Sequence, residues 1–216
     1  MVQVSAILLG AGESRRMGVD KLSLPWGRKT VLEHCLKTLL RSKVKEVIVV
    51  LNDRMKRLVD HGKDQKVHRE RRIFNPSSKV GFGDAERVKV VNNPYYKRGM
   101  SSSIRRGLKM VGSRSLGILI ALGDQPFIKT RTVNALISAF LQKRGTIIVP
   151  AFQGKQGHPV IFHRRYFSQL SKLTGDTGGK SIIEKYPEEV RLVRVKSEAV
   201  TKDMDTWEDY ERAKGE

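Results

Sequence analysis

Residues Val4–Lys21 read VSAILLGAGESRRMGVDK. Six residues of almost unbroken apolar character, Val4–Leu9, describe a short strand buried on both faces, the form parallel sheets take. The loop behind it holds Gly10, Gly12 and Gly18 together with Arg15, Arg16 and Lys21. In an open parallel sheet, ligands bind in the loops that leave the carboxyl ends of strands. Glycine lets backbone N–H groups approach an anion closely, and the cations add attraction. The stretch therefore predicts an α/β fold and, at its first strand end, a cradle for polyphosphate.

The rest of the chain agrees with the α/β reading. Glu46–Leu51, Val88–Val91, Leu116–Leu122 and Thr146–Val149 read as further buried strands, the last stopped by Pro150. Between them, Val31, Leu32, Cys35, Leu36, Leu39 and Leu40 share one helical face, as do Val133, Leu136, Ile137, Phe140 and Leu141. The segment Ser101–Met110 reads as a helix with serine at its start. Strand and helix alternate, which predicts a three-layer fold on a mainly parallel sheet. The pattern loosens after Pro150 into a glycine-rich loop, short strands and a last helix near Thr206–Lys214. One domain over 1–216 is expected, with a first part at about 1–125 and a second at about 126–216.

The chain has 216 residues, 42 Lys and Arg against 22 Asp and Glu, and a formal charge of +20. Such an excess predicts anionic partners. Only 6% of residues are aromatic, and no basic platform is interleaved with aromatics as single-stranded nucleic acid requires. Nucleic acid is therefore not the expected partner, although a basic binding module remains the rival class. No apolar run approaches a membrane span. One cysteine, Cys35, excludes an intramolecular disulfide and fits a reducing cytoplasm. The stretch from about 54 to 87 includes HGKDQKVHRERRIF and has few apolar residues. It reads as a solvated insertion or as a docking surface for an acidic partner.

Two familiar phosphate motifs fail on spacing. A dinucleotide fingerprint would place a third glycine at Arg15. The late TGDTGGKS, Thr174–Ser181, is one residue too short for a P-loop.

Leu8–Gly27, LLGAGESRRMGVDKLSLPWG, resembles the signature of the molybdenum-cofactor nucleotidyltransferases, and more narrowly their cytidylyl branch. The likeness continues in order through NPYYKRGMSSSIRRGL (Asn93–Leu108), LGDQPFI (Leu122–Ile128), FQGKQGHPVIF (Phe152–Phe162), LTGDTGGKSII (Leu173–Ile183) and DMDTWEDY (Asp203–Tyr210). It implies the nucleotide-diphospho-sugar transferase type of fold. Its implied reaction is transfer of CMP from CTP to the phosphate of molybdopterin, with release of pyrophosphate. Gly10 stands where cytidylyl enzymes usually carry alanine, while Ala11 agrees with them.

The resemblance also implies roles. Leu9, Gly10, Ala11, Gly12 and Ser14 hold the triphosphate; Arg16 bears on the β- and γ-phosphates and Lys21 on the α-phosphate. Asp124 is the expected Mg²⁺ ligand. Asp205 is either a second ligand or the N-cap of the last helix, with Glu208 completing a capping box. Ser102 and Ser103 either read the base or cap their helix. Gly157, His158, Pro159, Gly175, Asp176, Gly178 and Gly179 are expected to receive the acceptor. A molybdoenzyme or a chaperone is the implied downstream partner. A sugar-phosphate nucleotidylyltransferase shares the glycine loop and the carboxylate, and stays open as the alternative.

Overall fold

A computed structural model describes residues 3–14, 17–61, 85–142 and 145–214. Arg15, Arg16 and residues 62–84 of the basic stretch lie outside the described residues.

The central sheet runs β10-β7-β9-β6-β1-β4-β5. Its members are β1 (Gln3–Gly10), β4 (Val47–Leu51), β5 (Val88–Asn92), β6 (Ser115–Leu122), β7 (Ile147–Phe152), β9 (Val160–His163) and β10 (Val190–Arg194). A two-residue strand, β8 (Lys155–Gln156), folds back on β7. The pair β2 (Pro25–Trp26) and β3 (Lys29–Thr30) forms a separate ribbon. Strands β6, β1, β4 and β5 are parallel, as are β7 and β10. Only β9 runs against its neighbours β6 and β7 within this path. The order reverses around β1, which lies between β6 and β4. That is the switch point at which parallel sheets open a crevice for ligand.

The period of two along β1 divides the core. Val4, Ala6 and Leu8 face one side with α1 (Val31–Leu40), α2 (Asp53–His61), α4 (Thr130–Leu141) and α7 (Trp207–Lys214). Ile7 faces the other with α3 (Met100–Leu108), α5 (Phe167–Lys172) and α6 (Lys180–Lys185). The sheet is thus covered on both faces, as predicted. Helix α1 shows why local sequence suffices here. Thr30 and Glu33 form a reciprocal capping box, and the helix buries Val31, Leu32, Cys35, Leu36, Leu39 and Leu40, each large apolar side chain worth roughly 1.5–3 kcal/mol of burial.

Three local expectations are corrected. β7 does not stop at Pro150 but continues to Phe152. The last β7–β9 pair is at Ile148. Pro150 turns its carbonyl to the N–H of Gly157 at 3.0 Å, so its missing N–H falls where β9 has already left. The helix expected to open on serine begins at Met100 with Gly99 as its cap residue, and no side chain of its own caps it. The first residues of the presumed insertion are ordered parts of the fold: Asp53–His61 form α2, with Met55 fully buried.

Candidate active site

Three strand ends and two distant segments, at Gly175–Asp176 and Asp203–Asp205, enclose a cleft of about 880 Å³. Its lining includes Leu9, Ala11, Gly12 and Ser14 from the loop after β1, Asp124 after β6, Ser103 of α3, and Asp203 and Asp205. Lys21 lies at its centre. The Nζ is 2.5 Å from Asp124 Oδ2 and 2.8 Å from Asp205 Oδ1.

Each partner is placed by local structure. Asp20, itself buried, accepts from the Leu22 N–H and caps the short turn Lys21–Ser23 that carries the lysine. The Ser14 hydroxyl accepts from the Lys21 backbone N–H at 3.1 Å, which folds the glycine loop back over the turn. Gly123 donates to Leu9 O at 2.9 Å, and a Cβ there would meet the same oxygen at 2.9 Å; this fixes Asp124 beside the end of β1. Met204 donates to Asp124 O at 3.1 Å, which brings the late motif across. The side chain of Asp203 accepts from Gln125 Nε2 at 2.8 Å.

The alternative role given to Asp205 is settled against capping. The cap of α7 is made by Thr206 and Asp209: Asp209 N–H donates to Thr206 Oγ1, and Thr206 N–H to Asp209 Oδ2. Asp205 is therefore left to reach Lys21. Glu208 is bound instead to Arg212 on the helix surface.

Charge follows the geometry. Burial works against the Lys21 ammonium, but Asp124 and Asp205 outweigh it and hold the pKa above the ordinary lysine value. Burial pushes the Asp203 carboxyl up, and the charge of Asp124 adds to this. The His158 imidazole is held below its usual range by burial, although Asp203 and Asp124 pull the other way. It is a neutral hydrogen-bonding group near neutral pH. Cys35 is buried, and burial raises its thiol pKa, which makes it a packing residue rather than a nucleophile.

Asp124 and Asp205 converge on one cation, and carboxylates so placed are of the type that could offer oxygen ligands to a divalent ion. Mg²⁺ needs one or two carboxylates, its remaining positions going to phosphate oxygens and water. Among the described residues no group of three or more His, Cys, Asp or Glu side chains is arranged for a metal.

The glycines divide by role. A Cβ on Gly12 would meet nothing within 4 Å among the described residues, so packing does not require glycine there. At Gly10 a Cβ would sit 3.0 Å from Leu51 Cδ2, and its need is packing.

Ser103 faces the cleft, whereas Ser102 lines a groove on the outer side of α3. Both hydroxyls accept from Asn93 Nδ2 at 2.9 Å. The α3 N-terminus is capped from far away in the chain: Asp176 Oδ1 accepts from Met100 N–H at 2.8 Å, and Gly175 O from Ser101 Oγ at 2.5 Å. Beside that contact opens a smaller apolar cavity of about 370 Å³, lined by Gly157, His158, Asp176, Gly178, Gly179 and Phe162 among others. Pro159, joined to His158 by a cis peptide, lies outside it. Arg16 lies outside the described residues.

Two positioning residues were not anticipated. Asn52 donates from Nδ2 to Gly12 O at 3.1 Å while its Oδ1 accepts from Met55 N–H at 2.8 Å. It ties the glycine loop to the start of α2. Asn93 holds the two serines. Both asparagines directly follow an apolar strand or its last residue, which is the signal that could have found them.

A mainly parallel sheet covered on both faces, a glycine loop at its switch point and paired carboxylates on a half-buried lysine define a nucleotidyltransferase-type site. Residues 6–190 match the MobA-like NTP transferase domain, and the chain belongs to that family. It is 23% identical to the molybdenum cofactor cytidylyltransferase of Escherichia coli (strain K12), over 99% of this chain and 97% of the relative. It is 33% identical to a probable molybdenum cofactor guanylyltransferase of Methanosarcina mazei, over 78% of this chain and 67% of the relative. A protein of Paenarthrobacter nicotinovorans named nicotine blue oxidoreductase is 26% identical, over 97% of this chain and 95% of the relative. Among solved structures, Rv0371c of Mycobacterium tuberculosis covers 100% of this chain and 98% of its own, with TM-score 0.77 and 27% identity. A structure of Rv0371c in complex with manganese superposes with TM-score 0.72 at 25% identity, covering 100% of this chain and 99% of its own.

Proposed function

We propose that the protein transfers a nucleotidyl group, CMP from CTP, to the terminal phosphate of a molybdopterin-type acceptor and releases pyrophosphate. The observation that carries this reading is Lys21 lying between Asp124 and Asp205 beside the glycine loop.

In the reaction an oxygen of the acceptor phosphate attacks the α-phosphorus of CTP. The bond from that phosphorus to the bridging oxygen breaks, and pyrophosphate leaves with the electron pair. Such transfers depend on positioning and charge stabilisation more than on covalent catalysis. Backbone N–H groups from Gly10 to Gly12 hold the triphosphate, and Arg16 takes the β- and γ-phosphates. Asp124 and Asp205 hold Mg²⁺ or a similar divalent ion, which neutralises phosphate charge when bound. The Lys21 ammonium faces the α-phosphate, where charge develops in the transition state. Its raised pKa keeps it charged for that task.

The two ends of the cleft divide the substrates. Ser103 and the backbone opening α3 face the nucleotide. The apolar cavity at Gly157, His158, Gly178 and Gly179 suits a flat, largely uncharged ring system, with neutral His158 as a hydrogen-bonding group. Ala11 supports CTP. The identity to the probable guanylyltransferase of Methanosarcina mazei supports GTP as the second reading.

The test is a matrix of each NTP with a divalent ion, against molybdopterin in one series and sugar phosphates in another, read by pyrophosphate release. CTP with molybdopterin should give the highest turnover. Release with sugar phosphates alone would overturn the acceptor assignment.

A further inference from the structure

The outer face of α3 borders a third concavity, a groove of about 550 Å³. Four cations converge on it: Arg98, Arg105, Arg106 and Lys109. Among the described residues, none of the four has a carboxylate within ion-pair distance. No carboxylate among the described residues therefore neutralises their charge.

Three of the guanidiniums are held in place instead. Arg105 donates to Leu173 O. Arg106 donates from Nε to Asn92 O at 2.8 Å. Arg98 lies over the Tyr95 ring, 4.8 Å from its centroid. Each bond engages part of a guanidinium and leaves further N–H donors for a ligand. Fixed guanidinium forks match phosphate geometry and lose little freedom on binding it. Tyr95 and Phe167 add ring surface to the same groove.

We propose that this groove is a second anion-binding site, separate from the cleft, that takes a small molecule bearing polyphosphate. Its volume is that of a pocket for one small ligand rather than of a flat protein-binding face. The groove also touches the cleft. Arg98 borders both, and Asn93 Nδ2 bonds Ser102 on the groove side and Ser103 on the cleft side, each at 2.9 Å. An occupant is thus linked to the nucleotide side of the cleft through α3.

The test is equilibrium dialysis of tripolyphosphate against the full chain, repeated with CTP. The variants are Arg106→Gln/Lys109→Gln, both at exposed positions, and Arg105→Gln. The wild type should bind two equivalents of tripolyphosphate, and the double variant should lose one of them. Loss of each cation should weaken that equivalent about tenfold or more, while pyrophosphate release in the absence of added polyphosphate stays unchanged. Tighter binding of CTP than of tripolyphosphate to that equivalent would identify a nucleotide as the ligand; equal binding would identify inorganic polyphosphate. The absence of any wild-type equivalent that the double variant loses, whether the wild type binds one or two, would overturn the proposal. So would binding of a single-stranded oligonucleotide that the double variant loses while tripolyphosphate binding is unchanged. Failure of the transferase reading would remove only the equivalent that Arg106 and Lys109 do not affect.

Discussion

Lys21 Nζ lies 2.5 Å from Asp124 Oδ2, across 103 positions of sequence. The contact joins the loop after β1 to the end of β6, and Asp205 completes it at 2.8 Å. Lys21→Ala should therefore lower the rate more than it weakens nucleotide binding, because the charge it meets grows toward the transition state. A loss of about 3 kcal/mol, or on the order of a hundredfold in rate, is expected. The check is the CTP dissociation constant beside the single-turnover rate at saturation. Weak binding with a normal saturated rate would make Lys21 a ground-state clamp.

Arg16→Ala should show the opposite balance. The β- and γ-phosphates are charged before reaction begins, so losing their partner is felt in the ground state. The CTP dissociation constant should rise by roughly tenfold or more, with the saturated rate little changed. A large fall in the saturated rate at unchanged affinity would reverse the assignment of the two cations.

Gly157→Ala should damage the acceptor side. A Cβ at Gly157 would lie 1.9 Å from Val200 O, so the loop would have to leave the turn Glu198–Thr201. His158 N–H, which donates to that same oxygen at 2.8 Å, would be displaced with it. Overpacking of this kind costs roughly 1–3 kcal/mol of stability, measurable by urea unfolding, and the acceptor KM should rise while CTP affinity holds.

Glu46 offers a test by pH. Its carboxylate accepts from Ser5 Oγ at 2.7 Å and Gly112 N–H at 2.8 Å, and pairs with Lys89 at 2.7 Å. Burial works against its charge, but these partners prevail and hold its pKa below the ordinary glutamate value. A depressed folded pKa gives stability that is present above the unfolded value of about 4.3 and lost as pH falls through the folded value. Glu46→Gln should thus be less stable than wild type by about 1.5 kcal/mol at pH 7. The stabilities of the two proteins should converge as pH falls from the unfolded glutamate value of about 4.3 through the lower folded value. A gap that persists at low pH would place the effect outside ionisation.

The parts of this fold that were legible in the sequence are those whose signal is local. The strands around β1 are short apolar runs, and α1 carries its own cap and stripe. Asp124 follows such a run directly and Lys21 closes the glycine loop behind another, so ordered motifs brought both forward as candidates. The parts that were not legible depend on distant partners. Asp176 caps α3 from 76 positions away, and no local pattern shows that. β9 inserts antiparallel between β6 and β7, a pairing set by the whole sheet. Asp205 and Thr206 are neighbours that can both begin a helix, and the carboxylate three residues on, Glu208 or Asp209, suits either. Only the pull of Lys21 decides between them. Trp207 illustrates the same limit: its Nε1 donates to Met17 O at 3.2 Å, a tie between chain ends that spacing does not reveal.

The account rests on Asp124 and Lys21 acting together on a nucleoside triphosphate. The most direct measurement is the single-turnover rate of pyrophosphate release by Asp124→Asn, with saturating CTP, acceptor and Mg²⁺. The amide is nearly isosteric but lacks the charge that Mg²⁺ requires. The account predicts a folded protein in which release is abolished. Release at the wild-type rate under these conditions would contradict it.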